Sequence, residues 1–395
     1  MITLLIDTTN ILFRSMFAAQ GFGSEYYTYD SSEECEILMR KLTMDCAQII
    51  RTINPSRIIF CNDAKSWRKK ITIEENEGYK GQRKKDEKIN WDNIYNILDE
   101  FHDIMSRQGY INYIIKGTNE GGGAEADDCI AMWSEELYNN NQRIVIVSGD
   151  EDVRQLVKCK TTDSFFSFIS VFNPFKQGKN ASKKIIHGEG FIEWVNTSTN
   201  MSIFDMCIDG DKEDFIRLYN DPEIKFEYVD GESIALKKLL CGDDGDNIPA
   251  FYTWRKVTAK GKETTDRITK GKYEKIINEL NIKCIGDITD DILLKIKERI
   301  EGFAKSPMNC NIYTRYDRQK KLVELKSSNF PEHITEYFKK TKDDILDKPL
   351  FVNSASVRMQ DILKGTRYLT DGDFSVNKKR QSTIFNDLDK YTKLI

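Results

Sequence analysis

Three short apolar runs each lead into aspartate. Leu4-Leu5-Ile6 runs into Asp7, Ile58-Ile59-Phe60-Cys61-Asn62 into Asp63, and Ile144-Val145-Ile146-Val147-Ser148-Gly149 into Asp150 and Asp152. Runs this short and this rich in β-branched residues read as strands buried on both faces, as in a parallel sheet covered by helices. In an open sheet of that kind the carboxyl ends of the strands share one crevice, where ligands bind. The pattern therefore brings carboxylates from three strands to one edge. One aspartate at a strand end is no more than a helix cap or turn former. A converging set repels itself and calls for cations.

The rest of the first half fits an α/β class. Strands are expected at Ile2–Ile6, Arg57–Cys61, Tyr113–Ile115 and Arg143–Val147, with helices at about 32–52, 91–107 and 125–139. Residues 161–230 are less regular, with 165–172 read as a strand pair or an edge. After about 235 the pattern turns helical, at 232–241, 272–280, 288–302 and 331–340, and the last 45 or so residues read as a weakly attached extension.

Composition removes several classes. With 21 Phe, 17 Tyr and 5 Trp among 395 residues the chain can bury a core, which excludes disorder over most of it. The 59 Lys and Arg against 63 Asp and Glu exclude a uniformly basic nucleic-acid sleeve, though not local basic sites. No apolar run is long enough to cross a bilayer, and the N-terminus lacks the features of a signal peptide. Nine scattered cysteines without a Cys-x-x-Cys pair, and three distant histidines, argue against zinc and for reduced thiols in a cytoplasmic protein.

Two further acidic motifs join the strand ends. Glu125, Asp127 and Asp128 follow Gly121-Gly122-Gly123 at the start of a helix, and Asp243 and Asp246 sit three apart in Gly242-Asp243-Asp244-Gly245-Asp246-Asn247. Hard divalent cations, Mg²⁺ with Mn²⁺ able to substitute, suit an all-carboxylate set. Two such ions roughly 4 Å apart activate water and stabilise the leaving oxygen in phosphodiester hydrolysis. Two basic clusters flank these motifs: nine basic against five acidic residues over 65–88, and eight against three over 254–275.

Asp7 in its strand, Glu125-Ala126-Asp127-Asp128, Ser148-Gly149-Asp150-Glu151-Asp152 and Gly242-Asp243-Asp244-Gly245-Asp246-Asn247-Ile248-Pro249, in that order, resemble the flap endonuclease/5′→3′ exonuclease family over about residues 1–340. Tyr79-Lys80-Gly81-Gln82-Arg83 is similar to that family's arch helix. Asn62-Asp63-Ala64-Lys65-Ser66-Trp67-Arg68-Lys69 with Trp91-Asp92 is similar to its ribonuclease H branch in T-even phages.

The resemblance implies a structure-specific 5′ nuclease acting on DNA flaps or RNA primers in replication. Its core would span 1–235 with an arch at about 64–90, a helix–hairpin–helix-like duplex-binding region 236–345, and an extension 346–395. One metal would sit among Asp7, Asp63 and Asp127 with Glu125 in support. A second would sit among Asp127, Asp150, Asp152 and Asp246, with Asp128 and Asp243 behind them. Lys80 and Arg83 would face the scissile phosphate, and fixed cations there would stabilise the charge it gains. Tyr79 would stack a terminal base. Lys84, Lys85, Arg255, Lys256, Lys260, Lys262, Arg267, Lys270 and Lys272 would bind DNA phosphates, while Trp254 reads equally as a stacking or a core residue. The glycine hairpin usual in the family is absent after Pro249.

The implied partners are branched or 5′-ended duplexes and RNA–DNA hybrids, with the chain as a monomer. Gln381, Ile384 and Phe385 form a short peptide similar to those that dock into sliding clamps, and a single-strand-binding protein is the other expected protein partner. Two rival readings remain: a PIN-type ribonuclease with the same sheet and carboxylates, and a non-catalytic DNA-binding accessory protein.

Overall fold

The computed structural model describes residues 2–20, 27–53, 55–73, 77–118, 121–161, 166–173, 185–188, 226–257, 261–348 and 350. Lys260 and the expected clamp-docking residues Gln381, Ile384 and Phe385 lie outside them.

Strand β1 (Ile2–Asp7) is buried along its whole length and runs parallel to β2 (Arg57–Cys61) on one side and β4 (Arg143–Val147) on the other. Leu5 lies opposite both Ile59 and Ile146. β3 (Ile111–Tyr113) extends the sheet in parallel beyond β2, and β6 (Phe166–Phe172) does so beyond β4. β7 (Ile185–Gly188) and β5 (Lys158–Thr161) pair antiparallel with β6, and β8 (Phe226–Val229) runs parallel to β7. The result is a mostly parallel eight-stranded mixed sheet of order β3-β2-β1-β4-β6-β7-β8. Of the stretch read as a strand pair or an edge, residues 166–172 supply one strand. β3 starts and ends two residues before the expected strand, because Ile115 already turns away to accept a hydrogen bond from Ala124 N.

Side chains alternate across β1, as the two-residue strand period requires. Leu4 and Ile6 face a cluster with Ile11 and Leu12 of α1 (Thr8–Gln20), Leu38 and Leu42 of α2 (Ser32–Ile53), and Ile94 and Phe101 of α3 (Trp91–Arg107). Leu5 faces the other cluster, with Trp133 of α4 (Ala126–Asn139) and Phe338 of α9 (Glu332–Leu346). Trp133 meets Phe338 edge-on at 4.9 Å. Burying a side chain such as Phe338 contributes roughly 2 kcal/mol.

A third cluster is built from α5 (Gly231–Cys241), α6 (Lys270–Leu280), α7 (Asp290–Ala304) and α8 (Ile312–Val323), with Leu236, Leu239, Phe251, Ile276 and Ile296 at its centre. It also takes in Ile73 and Tyr79 from the 64–90 region. α5 straddles the expected boundary at 235/236, and α9 leaves this cluster to pack on the sheet. The α1 and α8 helices were not among those read from the sequence.

In the region expected to hold a helix–hairpin–helix-like element, β9 (Thr253–Val257) and β10 (Glu263–Arg267) form a two-stranded antiparallel ribbon between α5 and α6. Its β-branched residues favour strands, and alternation buries Trp254 as a core residue while exposing Arg255. Where an arch helix was expected, the described residues of 64–90 hold a short 3₁₀ turn (Trp67–Lys70) and a tight turn over Tyr79–Arg83. Gly78 and Lys80 have φ of 90° and 55°, and a right-handed helix cannot run through such residues. Among the described residues no helix is long and apolar enough to cross a membrane.

Candidate metal centre and its cation rim

Asp7 is the last residue of β1. Its Oδ1 accepts a hydrogen bond from Asn10 N at 3.0 Å and its Oδ2 one from Ser148 Oγ at 2.9 Å, so the ends of β1 and β4 are tied together. Asp63 comes from the segment after β2, which runs alongside the glycine loop before α4. Ala64 N donates to Ala124 O, Gly123 N to Lys65 O and Trp67 N to Gly123 O. Only glycine allows this approach: a Cβ on Gly122, whose φ is +75°, would stand 2.8 Å from Trp67 Cα. The backbone zipper places Asp63 over the start of α4, where its Oδ1 accepts from Ala126 N at 2.7 Å. A helix N-terminus favours the negative charges of Asp63 and Asp127. Asp127 lies in the first turn of α4, and its carboxylate takes no hydrogen bond among the described residues. Asp150 follows β4 and is exposed, with its Oδ1 accepting from Asp152 N.

These carboxylates feel one another. Burial, then the charge of Asp63, pushes Asp7 up to about 7. Burial, then Asp150 and Asp7, holds Asp127 well above the usual carboxylate range. Burial also raises Asp63, although it is ringed by protein and its side chain still reaches solvent through the crevice.

The other five expected ligands are met by cations of the chain itself. Glu125 caps α4 and accepts from Lys80 Nζ at 2.7 Å, Tyr79 Oη at 2.9 Å and Arg68 Nη1 at 3.2 Å. Burial would raise its pKa, but Lys80 and Arg68 hold it down at about 2. Asp246 pairs with Arg83 and accepts from Tyr79 Oη. Lys238 Nζ bridges Asp152 and Asp243. Asp128 is fully buried, 2.7 Å from Arg68 Nη2, and its Oδ2 accepts from Trp67 Nε1 and Glu125 N.

Several expectations change accordingly. Asp128, expected behind the metals, is fully buried against Arg68 and Trp67. Tyr79 is 6 % exposed with its hydroxyl committed to two carboxylates, so its ring is not open to a base. Lys80 and Arg83 are brought to the crevice, but they face Glu125 and Asp246. Arg68 and Lys238 were not singled out from the sequence. Arg68 stands in the Asn62–Lys69 motif and a basic cluster without a role of its own, and Lys238 lies outside both clusters.

Among the described residues no three His, Cys, Asp or Glu side chains are arranged to hold a metal. Asp7, Asp63, Asp127 and Asp150 meet as repelling neighbours, and Asp152 and Asp243 meet on an ammonium. The donor set is nonetheless all oxygen, and its raised carboxylates require countercharge. These residues fit a divalent cation held by oxygen ligands. A cavity of about 570 Å³ lies on the far side of α4, lined among others by Glu135, Glu136 and Lys342, and includes none of these carboxylates.

The other expected DNA-binding residues are mostly exposed. Lys84 and Lys85 are exposed, with Lys85 Nζ 4.6 Å from the Tyr95 ring centroid. Arg255, Lys256 and Lys262 are exposed on the ribbon and its turn. Lys272 pairs with Asp266 at 2.9 Å and lies over Trp254, and Lys270 approaches Glu274 at 3.8 Å. Arg267 grips Asp244 with both terminal nitrogens, at 2.6 and 2.8 Å, which ties the ribbon to the Asp243–Asn247 loop. Gln82 Nε2 donates to Asp244 O and Gly245 O in that loop, and Asn247 Nδ2 donates to Gly78 O.

No curated protein matches the chain. A bacteriophage T5 protein co-crystallised with metal ions matches at 17 % identity and TM-score 0.46, over 92 % of this chain and 99 % of that one. The bacteriophage T5 flap endonuclease in a pseudo-enzyme–product complex with DNA and metal ions matches at 17 % and 0.48, over 92 % and 99 %. The T5 5′-exonuclease with bound zinc matches at 17 % and 0.47, over 88 % and 99 %. Residues 2–185, which carry the sheet centre, the crevice aspartates and the Tyr79–Arg83 turn, match the model for the 5′-3′ exonuclease N-terminal resolvase-like domain. Through those residues, a little under half of the chain, it is similar to the 5′-3′ exonuclease family.

Proposed function

We propose that this chain is a Mg²⁺-dependent, structure-specific 5′ nuclease. It would hydrolyse phosphodiesters near the 5′ ends of DNA flaps, or of RNA primers on RNA–DNA hybrids, during replication in a phage-infected cell. One observation carries the reading: Asp7, Asp63, Asp127 and Asp150 converge at the carboxyl edge of the sheet, and the paired cations Lys80 and Arg83 stand beside them. Divalent cations bound by those aspartates, with Asp152, Asp243 and Asp246 nearby, would supply charge neutralisation and an activated water.

The remaining work falls to the chain's own groups. Lys80 and Arg83 lie where a phosphate entering the crevice would compete with Glu125 and Asp246 for them, and they would stabilise the charge the phosphate gains. Glu125 and Tyr79 hold Lys80 in place, while Ser148 and Asn10 orient Asp7. The exposed ribbon cations, with Lys84 and Lys85, would bind the duplex and the 5′ strand through phosphates, and such binding weakens as salt rises.

The test is digestion of 5′-labelled flap, nicked and RNA-primed duplexes with and without Mg²⁺. Cleavage near the 5′ end only with the metal is expected. No cleavage of any of the three in Mg²⁺ or Mn²⁺, with DNA binding intact, would leave the non-catalytic accessory reading in its place.

A further inference from the structure

Lys238 holds a position that a charge argument makes conspicuous. Its Nζ lies within hydrogen-bonding distance of Asp152 Oδ1 and Asp243 Oδ2, and the side chain is 19 % exposed. Backbone geometry fixes this meeting from both ends of α5. At the start, Gly231 packs so closely on the 3₁₀ turn Asp152–Leu156 that a Cβ there would stand 2.8 Å from Gln155 O. At the end, Gly242 has φ +77° and donates its N–H to Lys238 O at 2.9 Å, which sets Asp243 directly beneath the lysine. Asp243 is pinned in turn by paired backbone bonds with Ile248, each 2.8 Å. Burial lowers the pKa of Lys238, but the charges of Asp152 and Asp243 outweigh that and raise it.

The two halves of the carboxylate set therefore differ. Asp63 and Asp127 have Lys80 as their cationic neighbour, and Glu125 already holds it. Asp152 and Asp243 have a cation of their own.

We propose that Lys238 is the resident counter-ion of the second cation position: its ammonium fills the space between Asp152 and Asp243 in the metal-free protein. A second divalent ion then binds there only by displacing it, and more weakly than a first ion among Asp7, Asp63, Asp127 and Asp150. This rests on the metal-dependent reading above and adds an order of loading to it. The first position stays committed at low cation concentration, while the second fills only as the concentration rises.

The test is binding of Mn²⁺, read by paramagnetic resonance and calorimetry without DNA, to the full chain and to Lys238→Met and Lys238→Arg. The wild type is expected to take one tight and one weak equivalent. Lys238→Met should tighten the weak equivalent by about tenfold or more, because two half-buried carboxylates are left without their shared cation. The tight one should change less than the weak one, since the Asp152 carboxylate acts on those of Asp127 and Asp150 by charge alone. Lys238→Arg should retain the wild-type gap. Without metal, Lys238→Met should melt below the wild type and recover when Mn²⁺ is added.

A second equivalent no tighter in Lys238→Met than in the wild type overturns the proposal. So do two equal tight equivalents in the wild type, which needs no variant to fold. A wild type that binds no Mn²⁺ at all sinks the metal-dependent reading instead.

Discussion

The guanidinium of Arg68 stands 2.7 Å from the carboxylate of Asp128, and neither side chain reaches solvent appreciably, at 2 % and 0 % exposure. The contact is one of charge more than of aligned hydrogen bonding, since Arg68 Nη2 and Asp128 Oδ1 lack hydrogen-bond partners of good geometry among the described residues. Arg68 is also packed over Trp67 at 4.7 Å and near Phe330 at 5.8 Å. Removing one member of such a pair strands the other. Arg68→Met should therefore cost about 3–5 kcal/mol in urea unfolding. Asp128→Asn should lower stability while leaving the stoichiometry of divalent-ion binding unchanged. Loss of one bound ion in a folded Asp128→Asn protein would return Asp128 to the ligand set.

Asp127 behaves in the opposite way. It adds charge to a place that already holds Asp7 and Asp150. Asp127→Asn should abolish flap cleavage, by about 10³-fold or more. Its metal-free melting should rise by the equivalent of about 1 kcal/mol as repulsion is relieved. Thermal scans in chelator beside a cleavage assay read both; wild-type cleavage by this variant would remove Asp127 from the mechanism.

Lys80 and Arg83 should separate in effect. Lys80 is largely buried and fixed by Glu125, while Arg83 is 56 % exposed at the rim. Lys80→Ala is expected to lower the single-turnover cleavage rate by about 10²–10³-fold, the range for one preorganised donor. Arg83→Ala should act mainly on substrate binding. Equal, small losses in both would place the turn outside the reaction.

On the ribbon, Arg255→Ala with Lys256→Ala should weaken flap binding and reduce its salt slope by about one unit for each phosphate no longer neutralised. The cleavage rate of bound substrate should be unaffected. An unchanged salt slope would show that the ribbon does not meet DNA.

His102, on the opposite side of the sheet from α4, supplies a pH test. Burial lowers its pKa from 6.5 to about 4, against a smaller upward pull from Asp103, and its Nε2 has no hydrogen-bond partner among the described residues. The unfolded chain therefore takes up a proton before the folded one does. The contribution is complete above pH 6.5 and is lost progressively as the pH falls towards 4, by roughly 3 kcal/mol in all. His102→Gln should flatten that part of the stability curve relative to the wild type, as measured by urea unfolding at a series of pH values.

How much could be read from the residues depended on whether local pattern or tertiary company decided the outcome. β1, β2 and β4, and α2, α3 and α4, follow from apolar runs and helical spacing, and the strand-end aspartates follow from them. The Tyr79–Arg83 turn does not, because a stretch rich in lysine and arginine is compatible with a helix until Gly78 and Lys80 take positive φ against the Asp243–Asn247 loop. The β9–β10 ribbon carried a signal in Thr253, Val257, Thr264 and Thr265 around Gly261, but the basic residues between them drew attention to phosphates. Arg68 and Lys238 have no periodic signal at all. What makes them special is the acid each one meets, and those acids lie 60 and 86 residues away for Arg68–Asp128 and Lys238–Asp152.

The packing of α9 gives the end of the described chain a share in the crevice. Phe338 seals the back of α4 against Trp133, and His333 Nε2 meets Gly122 O at 3.0 Å on the very loop that zips Asp63 to the start of that helix. α9 contributes no carboxylate and no rim cation, yet it is the wall against which the aspartate-bearing helix is pressed. A single cut ahead of Glu332 would leave every crevice aspartate in the polypeptide and still let the helix that carries Asp127 drift from its partners.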